Sequence, residues 1–133
     1  MSDRYFSPAE VEALIPKLVD IVDRIRPAHA EATELRQATH EDQRQVAMMG
    51  GATIDREAWA ARRARIDASA REVQKGIEEL LELGGVPKDL NMGLVDFPHL
   101  RDGREVNLCW KYGEREIRFW HGLDEGYTAR KPL

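Results

Sequence analysis

The sequence predicts an α+β domain: a long antiparallel helical hairpin with a kinked first helix, then a small C-terminal antiparallel β-hairpin or sheet with an ordered tail. Three observations carry this. Apolar residues recur every seven positions through the first two thirds of the chain, Gly84-Gly85 stops that pattern, and from Val106 the period changes to two. At 133 residues the chain suits a single domain, 1–133, with the helical hairpin over 7–83 and a loop, short strands, a β-hairpin and the tail over 84–133.

The first helix begins in detail. Ser7 has the side chain of an N-cap, Pro8 occupies the first helical position where its missing N–H is harmless, and Glu10 completes a capping box. Phe6 and Val11 have the spacing of a hydrophobic staple. Val11, Leu18, Ile25 and Ala32 form one apolar row, and Leu14, Ile21, Ala28 and Leu35 form another. Pro16 and Pro27 interrupt them, so kinks are expected, with Pro27 the position for a break. His40 to Thr53 loses the period and reads as the connection between helices. The second helix is expected from about Asp55 to Leu83, carrying Trp59, Ile66, Val73 and Leu80. Two helices cannot bury such stripes alone. The C-terminal third and a second copy of the chain are both expected to cover them, which makes a homodimer through the helices the expected assembly.

Composition narrows the function classes. The net charge is −4, with 12 basic and 16 acidic residues before Gly84 and 8 of each from it onward, so no basic half exists for general nucleic-acid binding. No apolar run is long enough to cross a membrane, the opening residues lack the apolar stretch of a signal peptide, and a lone Cys109 makes no internal disulfide. A cytoplasmic location is expected.

The last third is the informative one. Gly85 to Gly93 reads as an ordered loop, and Leu94 to Pro98 as a short extended segment that Pro98 confines to a sheet edge or strand end. Asp102-Gly103 marks a turn. If the following strands turn about Gly113-Glu114, Trp110 opposes Ile117, Leu108 opposes Phe119 and Val106 opposes His121 on one face. The other face then pairs Cys109 with Arg118 and Asn107 with Trp120. The first face is expected on the helices and the second beneath the tail, a ligand or a partner.

With those residues in view, the chain resembles the uncharacterised bacterial domain-of-unknown-function 2203 family. The resemblance rests on Phe6-Ser7-Pro8-Ala9-Glu10, Gly84 to Leu90, Gly93 to Pro98, Asp102 to Val106, Leu108 to Lys111, Gly113-Glu114, Trp120-His121, Gly126 and Arg130 to Leu133. Asn107 and Lys131 depart from it, standing where an aromatic and a glutamine are common. It implies a shared architecture and no activity.

Site candidates cluster in this third. Asp96, Trp120, His121 and Arg130 are the candidate ligand-binding residues: Arg130 as an anion clamp, His121 as a proton carrier. The resulting expectation is a binding or interaction module with a polar ligand pocket near the C-terminal hairpin. The alternative is a small enzyme, metal-assisted or nucleophilic, in which His121 works with Glu125 or Cys109. His121 and Glu125, with Cys109, Asp96, Glu114 or Asp124 as further donors, make a candidate set for a divalent transition metal. For each of these the plainer reading is a satisfied structural residue: a hydrogen-bonded histidine, a buried cysteine acting as a small hydrophobe, Glu114 at an exposed tip, and Asp96 paired with Arg130 or Arg104.

Overall fold

A computed structural model of the chain describes residues 2–50 and 55–133. Helix α1 spans Pro8–Met48 and α2 spans Arg56–Leu83, packed antiparallel. Five strands follow: β1 Val86–Asp89, β2 Leu94–Arg101, β3 Arg104–Lys111, β4 Phe119–His121 and β5 Lys131–Pro132, with a short 3-10 turn at Tyr127–Ala129. They form one antiparallel sheet in chain order. Among the described residues no helix is long and apolar enough to cross a membrane.

The helix starts form as the local chemistry dictates. Glu10 N donates to Ser7 Oγ at 3.1 Å, and Ser7 N donates to Glu10 Oε1 at 3.0 Å. Asp55 caps α2 through Ala58 N, and Gly84 ends it in the left-handed conformation, φ 98°. The expected break at Pro27 does not occur, for α1 runs unbroken through Pro16 and Pro27. Docking explains the tolerance: beside Pro27, Arg26 Nε donates to the Asn91 carbonyl at 3.2 Å, and one turn back Tyr112 donates its hydroxyl to Asp23. Tertiary contacts hold the backbone that the proline would otherwise release. The connection expected over His40 to Thr53 is helical as far as Met48, and its residues 51–53 lie outside the described ones.

The core lies where one face of the sheet meets the first half of α1 and the second half of α2. Phe6, Val11, Leu18, Ile25 and Leu80 pack against Val95, Phe97, Leu108 and Trp110, with Phe6 and Phe97 edge to face at 5.2 Å. Beyond it, from Thr33 to Met48 and from Arg56 to Ala68, the hairpin continues without one buried residue.

Three expectations for the last third need correction. Gly85 to Gly93 is not all loop, because it contains the edge strand β1. Pro98 sits inside β2, which lies between β1 and β3 rather than at an edge. It fits because β1 reaches only as far as Asp96, and Phe6 N donates to the Pro98 carbonyl at 2.7 Å. The missing N–H therefore points to this open side and costs no bond to β3.

The third correction is a register shift of one residue. Leu108 pairs with Trp120 and Asn107 with His121. The turn assumed to be tight is an irregular segment from Gly113 to Arg118. Glu114 organises it: Lys111 N donates to its Oε1 at 2.7 Å, and the Trp110 indole donates to its carbonyl at 2.9 Å. A one-residue slip exchanges the faces of β4. Trp120 therefore packs toward the core, while His121 joins the face carrying Cys109.

Candidate functional site behind the sheet

Asp96 on β2 stands directly opposite Cys109 on β3, and alternation along the strands sends both side chains to the face away from the helices. His121 on β4 arrives on the same face one strand further along. One nitrogen of His121, one oxygen of Asp96 and the sulfur of Cys109 all lie within 4.8 Å of one another.

This face is not solvent surface. The tail crosses it and is pinned there by Arg130, whose Nη2 donates to the Cys109 carbonyl at 3.0 Å and to both Glu114 oxygens at 2.6 and 2.8 Å. The guanidinium also stacks over the rings of Phe119 and Tyr127 at 4.2 and 4.9 Å. Beneath this cover Asp96, Cys109 and His121 are 2%, 1% and 2% exposed. Such burial demands that each polar atom find a partner.

His121 meets that demand on one side only. Its Nδ1 lies 2.8 Å from the Gly122 carbonyl, which can only accept, so Nδ1 carries a proton. Nε2 then faces Asp96 Oδ2 at 3.0 Å. That distance suits an ion pair, yet the alignment misses that of a hydrogen bond, and the other donor beside the carboxylate is the weak Cys109 thiol, so neither Asp96 oxygen receives a well-aligned hydrogen bond. The distance alone does not satisfy the carboxylate, since hydrogen bonding is directional. Burial, reinforced by the Asp96 charge, pushes the Cys109 thiol up to about 12, so it stays protonated.

These facts weigh against nucleophilic catalysis. A relay needs one imidazole nitrogen for the thiol and the other for its orienting partner. Here Nδ1 is held by Gly122 and Nε2 is turned to Asp96, and the thiol is far from ionising.

The other candidate residues stand apart from the cluster. Trp120 is on the opposite face, flanked by Arg101 and Lys131 at 4.7 and 4.8 Å. It lines a cleft of about 670 Å³ with Arg101, Arg104 and Leu123. Glu125 accepts from Gly122 N at 2.7 Å and Lys131 Nζ at 2.5 Å, and the lysine is the main cause that lowers its pKa. Arg130 belongs to Glu114 rather than to Asp96. Glu114, read from sequence as an exposed tip, is the residue whose role was missed. Its carboxylate is three-quarters covered, and no local pattern distinguishes it from a turn glutamate.

A family model described as "Uncharacterized conserved protein (DUF2203)" matches residues 4–133. No curated protein and no solved structure matches.

Proposed function

The chain belongs to the DUF2203 family, and from the buried cluster we propose that it is a cytoplasmic binding module whose ligand site is Asp96, Cys109 and His121, closed by the C-terminal tail. The observation that carries this is the buried Asp96 carboxylate, which converges with Cys109 and His121 yet receives no well-aligned hydrogen bond. A carboxylate kept in that state lowers stability, and such groups are retained where a ligand supplies what the fold withholds. Of the residues proposed for ligand binding from sequence, Asp96 and His121 take part directly. Arg130 keeps the tail closed, and Trp120 serves the other face.

The exchange Asp96→Asn tests the reading in extensively dialysed protein. The introduced side-chain amide can donate to His121 Nε2, and the exchange removes the buried carboxylate charge. The variant should then unfold at higher urea, by about 1–3 kcal/mol. A loss of stability would mean that Asp96 and a charged His121 are a structural ion pair, and would overturn the proposal.

The helices support a second part of the same reading, a homodimer. Their outer halves bury no residue and leave Leu35, Trp59 and Ile66 half-covered on one stripe. A two-helix arm with no buried residue is poorly stable in water, which favours a packed neighbour. The surface there is lined by Arg36 and Arg63 together with Asp67, and both signs on one patch suit pairing with its own copy about a two-fold axis.

A further inference from the structure

We propose that the ligand of this site is a single divalent transition-metal ion of borderline softness, of the zinc class, held by Asp96 Oδ, Cys109 Sγ and His121 Nε2. This rests on the reading of the cluster as a binding site and names its occupant. The donor set is the first argument. Imidazole nitrogen, carboxylate oxygen and thiolate sulfur together select zinc-like ions over calcium or magnesium, which take oxygen alone.

Spacing is the second argument. Metal–ligand bonds of roughly 2.0–2.3 Å in a tetrahedron place donor atoms about 3.3–3.8 Å apart. The three donors already lie within 4.8 Å of one another, with His121 Nε2 and Asp96 Oδ2 at 3.0 Å. Reaching tetrahedral spacing takes side-chain adjustments on the order of 1 Å, which rotamers supply without moving the strands.

The surroundings are the third. A metal-binding imidazole holds its orientation by donating its other nitrogen to a backbone carbonyl, and His121 Nδ1 does so to Gly122. Arg130 bonds the Cys109 carbonyl, and its charge partly offsets the burial and the Asp96 charge that keep the thiol protonated, leaving the bound dication to complete ionisation of the sulfur. Charge also balances: one carboxylate, one thiolate and one dication sum to zero, so the loaded site is neutral under its cover. On binding, Cys109 releases its S–H proton to buffer and the sulfur lone pair forms the bond to the metal, Asp96 donates a carboxylate lone pair, and His121 ligates through Nε2 after giving to buffer any proton that it carries there toward Asp96. Three protein donors leave the fourth tetrahedral position to water or a small ligand. Glu125 is excluded from the set, being committed to Gly122 and Lys131.

Cobalt(II) tests this, since its bands report sulfur ligation and geometry directly. One equivalent added to the chelator-treated full chain should give a thiolate-to-cobalt charge-transfer band in the near ultraviolet and intense visible bands of four-coordinate cobalt. Cys109→Ser should abolish the charge-transfer band. Zinc should displace bound cobalt and, titrated into the metal-free wild-type chain, release at least one proton per ion and raise the melting temperature, whereas magnesium and calcium should do none of these. Absence of the charge-transfer band in the wild type, or its persistence in Cys109→Ser, would overturn the metal assignment. Should the serine variant not fold, the zinc titration decides alone: no proton release and no thermal shift overturns the assignment. The two proposals fail separately. If Asp96→Asn stabilises the chain while cobalt gives no sulfur band, the site stands and its ligand is not a metal.

Discussion

A single missing methyl group sets how closely the helices approach. A Cβ on buried Gly76 would overlap Ile25 Cγ1 and Cδ1, so the glycine is there for space, its own helical conformation needing no special residue. Gly76→Ala improves helix propensity yet is expected to destabilise by about 1–3 kcal/mol, because overpacking outweighs the propensity gain. Ile25→Val in the same chain should recover part of the loss. Urea unfolding of the two single variants and the double variant measures the coupling, and additive effects would sink the explanation. Nothing local in the sequence marks Gly76, because close packing is a property of two segments. Ser7, Glu10, Asp55 and Gly84 were legible, because caps are satisfied within a few residues of themselves. The candidate site divides the same way. Asp96, Cys109 and His121 were each singled out as chemistry-bearing residues, but their convergence required the pairing of three strands.

At the scale of elements, α1 and β4 show local rules yielding to tertiary contact. Pro27 lies in mid-helix on an exposed position, where it removes a donor and crowds the Asp23 carbonyl four residues back. Pro27→Ala should therefore stabilise the chain by about 1–3 kcal/mol, below the full helix-interior penalty because the rigid ring also restricts the unfolded chain. Thermal unfolding checks it. A lower melting temperature would show that the proline shapes the docking of Arg26 on Asn91 and Tyr112 on Asp23. β4 departs from the uniform register expected through Gly113 to Arg118 because Glu114 gathers Lys111, Trp110 and Arg130 and absorbs one residue. The expected register is preferred because a slip through a tight turn would set Trp110 against Arg118, and the irregular segment removes that conflict because β4 pairs with β3 only at Phe119 and beyond. The slip decided that the histidine, and not the tryptophan, meets Cys109.

For the whole molecule, the sheet's two faces and the helices' two halves are unequally covered. One sheet face is packed on helices, and the tail covers the other around Asp96, Cys109 and His121, so this part of the sheet is covered within one chain. The helical end is not. Trp59 and Ile66 continue the row that Val73 and Leu80 begin, yet only Leu80 is buried, because the sheet ends near Arg26 and Asn91. The apolar repeat was legible in sequence for its full length, while the place where intramolecular cover stops was not. If a second chain supplies the missing layer, folding and association are linked, and the melting temperature should rise by roughly 2–4 °C for each tenfold increase in protein concentration. Trp59→Glu with Ile66→Glu places like charges from both copies in a two-fold interface while leaving the core untouched. That variant should sediment as a monomer, lose the concentration dependence and keep its near-ultraviolet signal from buried Trp110. High salt should weaken the wild-type dimer modestly, since Arg36 and Arg63 would meet Asp67 across the axis. A wild-type chain that sediments as a monomer, with one melting temperature at every concentration, would leave the outer arm to a different partner and end the dimer proposal.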